Sequence, residues 1–231
     1  IPYGINLVNK SFTIEFWMKS ARAGVKECIL SQNTDPDNAI LIELNEDGTI
    51  DFQVGDQTYT EDAANIPGKI GEWHHWAFIF DNVRDEAIVM CDGVPLGSGA
   101  MTPAYTGYGD VYVGKSMVED NHPFKGNIHE LRIWERPRTA SALTANMLVT
   151  LSGKETGLIG YWPFDDSNGD LAIEKVHRRN ASVNAPWKIT PSGFAATFES
   201  SSNSLLDMEF NDVAFGTEED FTIEFWFKSN Q

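Results

Sequence analysis

The sequence predicts an all-β fold, an antiparallel β-sandwich with one short helix, and three observations carry that prediction. Apolar residues recur at every second position along most of the chain, the spacing that turns alternate side chains to opposite faces of a strand. Two Asp-Gly pairs, Asp47-Gly48 and Asp92-Gly93, interrupt such runs where a tight hairpin would reverse the chain. Helical spacing is confined to RTASALTANM, residues 138–147. Many short strands, punctuated by turns and accompanied by one small helix, build a two-sheet sandwich.

The first strand is FTIEFWMKS (12–20), with Phe12, Ile14, Phe16 and Met18 on one face and Thr13, Glu15, Trp17 and Lys19 on the other. Residues 39–54, AILIELNEDGTIDFQV, hold two alternating runs around Asp47-Gly48 and form a hairpin. WHHWAFIFD (73–81) alternates strongly, and EAIVMCDGVPLG (86–97) is a second hairpin around Asp92-Gly93. Further strands fall at VYVG (111–114) and GNIHELRIW (126–134). Thr139 caps the helix, whose Leu143 and Met147 lie four apart on one side. So short a helix covers one end of a sheet rather than anchoring a helical domain. GLIGYWPFDD (157–166) is one more strand, a polar stretch runs from Ser167 to Ser192, and FAATF (194–198) follows as another strand.

Residues 221–229, FTIEFWFKS, repeat the first strand at eight of nine positions. Repetition of that kind implies tandem modules. Residues 1–149 are then a module lacking its own opening strands. Residues 157–231 are the opening strands of a second like module, or strands that complete the first sandwich in permuted order.

The formal charge of −17, from 34 acidic against 17 basic residues, repels nucleic acid phosphates and anionic membrane surfaces and attracts cations. No apolar run approaches the ~18 residues that span a bilayer. Residues 1–10, IPYGINLVNK, lack the basic start and apolar stretch of a signal peptide, and a first residue of Ile marks an excerpt or a processed product. Two cysteines, Cys28 and Cys91, are too few for a disulfide scaffold; they form one bridge or stay as two buried thiols.

FTIEFWMKS, ILSQ, GEWHHWAFIFD, VMCDGVPLGSG and FKGNIHELRIWERPRT, in that order, resemble the laminin-G-like jelly roll of the concanavalin A-like and pentraxin group. YWPFDDSNG, a polar spacer and FAATF resemble the entry into another such module. The resemblance covers nearly the whole chain. It implies a jelly roll, and it implies that the WHH pattern is structural. Strand geometry agrees, because His74 and His75 point to opposite faces and cannot readily chelate one ion together.

The stretch NTDPDNAILIELNEDG (33–48) is similar to a pentraxin segment in which an Asp-Asn pair binds calcium, which carries over to Asp37 and Asn38. VYVGKSMVEDNHPFKG (111–126) is similar to the pentraxin loop that supplies further acidic ligands, here Glu119 and Asp120, with Asn121 beside them. The resemblance therefore implies calcium, which takes six to eight oxygens at ~2.3–2.6 Å. The second loop is shorter than its pentraxin counterpart and lacks the later acidic ligands, and the cysteines fall at other positions than the pentraxin bridge.

Retaining glucanases of this fold need two carboxylates ~5–5.5 Å apart, which on a strand takes acids at alternate positions. Glu130 and Glu135 in HELRIWE are five apart and fall on opposite faces. A glycan would instead be held by aromatic side chains on loops, and Tyr105 and Tyr108 in TPAYTGYGD (102–110) are so placed, whereas most of the tryptophans lie in strand patterns. The expectation is a non-catalytic binding or adhesion module of an extracellular, multidomain surface protein. Its partners would be a glycan or another cell-surface ligand and neighbouring modules of the same polypeptide. Two alternatives are a structural spacer that binds nothing and, more remotely, a glycoside hydrolase.

Overall fold

Phe12, Ile14, Phe16 and Met18, the apolar face of the first strand, are all buried in the main core. The computed structural model describes residues 1, 5–63, 66, 70–118, 122–165 and 171–182. All of these lie in the first of two compact units, Ile1–Trp187, the second being Lys188–Gln231. FAATF, the repeat at 221–229, and Glu119, Asp120 and Asn121 lie outside the described residues.

Among the described residues, thirteen strands and one α-helix follow in chain order. They are β1 (Phe12–Ser20), β2 (Glu27–Gln32), β3 (Ile40–Leu44), β4 (Thr49–Val54), β5 (Gln57–Asp62), β6 (His74–Asp81) and β7 (Glu86–Cys91). Next come β8 (Val94–Ala100), β9 (Val111–Val113), β10 (Gly126–Trp134), α1 (Ala140–Asn146), β11 (Leu158–Trp162), β12 (Leu171–Ala172) and β13 (Ala181–Ser182). One sheet has the order β11-β10-β1-β6-β7-β8, a second has β5-β4-β3-β2-β9, and β12 and β13 pair with each other. This is the antiparallel jelly roll that the sequence predicts. No helix among the described residues is long and apolar enough to cross a membrane.

The core forms where the two sheets face each other. From the six-stranded sheet come the β1 residues, Trp76, Phe78 and Phe80 of β6, and Leu131 and Ile133 of β10. From the five-stranded sheet come Ile40, Ile42, Ile50, Phe52 and Val54. Phe52 meets Phe12 edge-on at 6.2 Å and Phe78 at 5.6 Å, tying the layers together.

Two strands carry no period-two apolar signal. β2, ECILSQ, is buried at all six positions, as a central strand with both faces covered should be. β5, QTYTED, is a polar edge strand whose alternate residues are exposed. The Asp92-Gly93 turn has the expected form: both residues are left-handed (φ 50° and 76°) and directly join β7 to β8. At Asp47-Gly48 only the glycine is left-handed (φ 91°), so that hairpin closes through the longer loop 45–48.

Strand β11 pairs with β10 as an edge of the six-stranded sheet. Ala172 of β12 and Ala181 of β13 enter the same core as β1. Residues 158–162 and 171–182 therefore pack on the first sandwich. Cys28 and Cys91 are both buried, and no disulfide joins them.

Candidate functional site

The two outer faces of the sandwich differ. Thr139 caps α1 by accepting from Ala142 N–H at 3.2 Å. The helix inserts Leu143 against Ala77, Ile79 and Met90, on the outer face of the six-stranded sheet rather than at its end. Trp17 Nε1 donates to the Met147 carbonyl at 2.8 Å, fixing the chain that leaves the helix. Beside it, Trp134, Leu151, Leu158 and Tyr161 form a second apolar cluster. These segments cover the face except along the edge strand β8, which stays exposed.

Beneath this cover lies a buried polar network. Arg132 donates from Nη2 to Glu130 at 2.5 Å, and from Nη1 and Nη2 to the carbonyls of Asn146 (2.9 Å) and Val149 (2.7 Å). Glu15 meets His75 Nε2 at 3.0 Å and accepts from Trp134 Nε1 at 2.6 Å. Tyr161 donates to Glu130 at 2.8 Å. Glu135, by contrast, pairs with Lys10 at 2.8 Å in a part-exposed setting, so the two acids of HELRIWE serve different environments.

Burial alone would raise the Glu15 carboxyl. The hydrogen bond and attraction of His75, the Arg132 charge and the Trp134 N–H outweigh burial and hold it below the ordinary value. A carboxyl lowered by folding contributes stability that is present above its unfolded pKa and is lost as pH falls through its folded pKa. Glu15→Gln is therefore expected to flatten the acid limb of the stability–pH profile, measured as urea midpoints from neutral pH downward. An unchanged limb would remove Glu15 from the linkage.

The outer face of the five-stranded sheet is open along β4 and β5, where Thr58 and Thr60 are exposed and Asp51 and Gln53 half-buried. Over β2 and β3 the chain after β9 lies across it, with Val118 against the cluster of Cys28, Ala39 and Leu41. Loops 33–38, 55–56 and 101–110 border one end of this face.

That rim is built around Asp35-Pro36. Asp35 accepts from Asp37 N–H at 3.2 Å and from Asn38 Nδ2 at 3.1 Å, capping a single 3-10 turn with proline in its first turn. Asn38 Oδ1 accepts from Thr106 N–H (3.2 Å) and Oγ1 (2.8 Å), stapling the two loops that carry the expected metal and aromatic residues. Gly107 makes the approach possible, since a Cβ there would strike the Asn38 carbonyl. Gln53 Nε2 donates to the Pro36 carbonyl at 2.6 Å and anchors the rim to β4.

The expected site residues separate accordingly. Asp37 is exposed on this rim. Asn38 is engaged at both ends of its amide, so its oxygen would have to leave Thr106 to reach a cation. Together these two supply only a fraction of the oxygens calcium takes. Glu119 and Asp120 lie outside the described residues, so the structure does not place them against this rim. Tyr105 is 4% exposed, with its hydroxyl donating to Gln32 at 2.9 Å, so its ring belongs to the core and offers no face to a sugar. Tyr108, three residues on, is 59% exposed. Asp35, Gln53 and Thr106 shape the rim without having been expected to. The Asp-Pro pair is the signal for the first of them.

The jelly roll thus carries α1 on one outer face and leaves the other open along β4 and β5. The family model described as the concanavalin A-like lectin/glucanases superfamily matches residues 1–144, and the chain belongs to that superfamily. A candidate carbohydrate-binding protein from Bacteroides ovatus has 19% identity and a TM-score of 0.62, covering 81% of this chain and 58% of its own. This chain thus spans little more than half of that protein. The CBM40 of Ruminococcus gnavus IT-sialidase, solved with alpha2,3 sialyllactose, has 16% identity and a TM-score of 0.51, covering 62% of this chain and 90% of its own. A heptameric SAP-like pentraxin from Limulus polyphemus has 16% identity and a TM-score of 0.54, covering 80% and 82%. At these identities the likeness is one of fold. No curated protein sequence matches the chain.

Proposed function

We propose that this chain is a non-catalytic carbohydrate-binding module of a multidomain extracellular protein, holding its glycan at the rim and open face of the five-stranded sheet. The observation that carries this reading is the asymmetry of the outer faces. One is covered by α1 and the segment after it; the other presents Asp51, Gln53, Thr58 and Thr60 beside the rim that carries Asp37 and Tyr108. Hydroxyl, amide and carboxylate groups bind sugar hydroxyls, and an exposed aromatic ring stacks on a sugar face. The sialidase module bound to alpha2,3 sialyllactose and the Bacteroides protein support the choice of ligand class by their stated sugar binding.

Calcium belongs to this reading as the ion that orders the rim, held by Asp37 and Asn38 with Glu119 and Asp120. A glycan array on the intact chain, with and without calcium, tests both parts. Tyr108→Ala is expected to weaken binding of the best glycan about tenfold, the loss of roughly one stacking contact. Calcium calorimetry should give heat that Asp37→Ala abolishes. Binding to no glycan, with calcium present, would leave the module a spacer.

A further inference from the structure

We infer that His74, Cys91 and Asp92 form a binding site for a borderline-soft divalent cation, with zinc as the physiological class. Their ligand atoms all lie within 4.8 Å of one another. Among the described residues this is the one group of three or more His, Cys, Asp or Glu side chains so gathered. It lies apart from the Asp37 rim in sequence and draws on different elements, β6, the end of β7 and the β7–β8 turn.

Backbone geometry assembles it. Residues 91 and 92 are neighbours, and on a regular strand they would face opposite ways. Asp92, however, is the first residue of the hairpin turn and is left-handed (φ 50°), a conformation Asp tolerates and a turn of this type requires. The turn swings its carboxylate back over β6. There it accepts from His75 N–H at 2.8 Å and meets His74 Nδ1 at 2.7 Å. The Cys91 thiol, buried in the core, faces the same carboxylate.

The donor set decides the class of ion. One thiol, one imidazole and one carboxylate suit zinc, whereas calcium takes oxygens alone. Bonds of ~2.0–2.3 Å in a tetrahedron place ligand atoms roughly 3.3–3.8 Å apart, so the His74–Asp92 pair, now 2.7 Å apart, opens by about half an ångström to admit the ion, within a cluster whose ligand atoms span no more than 4.8 Å. His74 is 9% exposed, and the nitrogen it turns to Asp92 is Nδ1, whose hydrogen bond to the carboxylate an ion would replace. The Asp92 side chain is 45% exposed, which gives an ion a way in and leaves the fourth position to water. On binding, the metal–sulfur bond forms as the S–H bond breaks, and the thiol proton passes to solvent.

Cobalt(II), titrated into the untagged 231-residue chain, is the probe. The expected result is one ion per chain, a near-ultraviolet thiolate-to-cobalt charge-transfer band, and displacement by zinc. Cys91→Ser should remove the band and Cys28→Ser should keep it. Cys91→Ser exchanges one atom, so it leaves the Asp92 turn standing even if Asp92→Asn does not fold. His74→Ala should weaken binding at least tenfold. A wild-type chain without the thiolate band, or a band that survives Cys91→Ser, would overturn the assignment.

Discussion

Arg132→Met is expected to destabilise the protein by ~3–5 kcal/mol, the cost of removing one partner from a buried ion pair. Arg132 is 1% exposed and supports three elements at once. It neutralises Glu130, it satisfies the carbonyls of Asn146 and Val149, and its guanidinium lies 5.7 Å from the Tyr161 ring centre. The methionine would fill much of the volume but leave Glu130 without its cationic partner and the Val149 carbonyl without its donor, the Asn146 carbonyl keeping only the Val149 N–H at 3.0 Å. Urea denaturation at neutral pH measures the loss as a lower midpoint at unchanged slope. Adding Glu130→Met to Arg132→Met should recover part of it, because an emptied pair is tolerated better than a broken one. A single-variant loss under ~1 kcal/mol would show that water reaches the network and that the cover over it is not closed.

Phe52→Ala should cost a similar ~3–5 kcal/mol by a different mechanism, the cavity left by a buried aromatic ring. Phe52 belongs to the five-stranded sheet, yet its ring contacts are Phe12 and Phe78 of the other layer. Truncation removes the contact between layers, and the flanking strands cannot close the gap without breaking register. Phe52→Leu should recover most of the loss, since much of the volume returns. Val83→Ala, at an exposed loop position, should stay within ~0.5 kcal/mol. Thermal unfolding of the three variants side by side is the measurement. A loss at Phe52 no larger than at Val83 would contradict the interlayer packing.

Much of the fold is legible in the sequence because a half-buried strand must alternate. β4 shows this at every position, and β1 alternates in residue type from Phe12 to Phe16 although α1 and its neighbours bury Thr13 and Glu15 as well. β2 is buried on both faces and β5 is a polar edge, so neither alternates visibly. The cap at Thr139 and the Asp92-Gly93 turn are local chemistry and fell where local rules place them. The candidate site was legible only in part. Tyr105 and Tyr108 sit in one loop of similar composition, yet one is core and the other exposed, because Gln32 from β2 stands beneath the loop and takes the first hydroxyl.

Which residues turn inward along an alternating strand, and where the chain reverses, can be read from the residues directly, since both follow from backbone sterics and side-chain period over a few positions. Tertiary structure alone decided which outer face is covered, how Asn38 meets Thr106, and how Cys91 and Asp92 converge on His74. These depend on segments far apart in the chain. A short window of sequence holds no record of what will be packed against it.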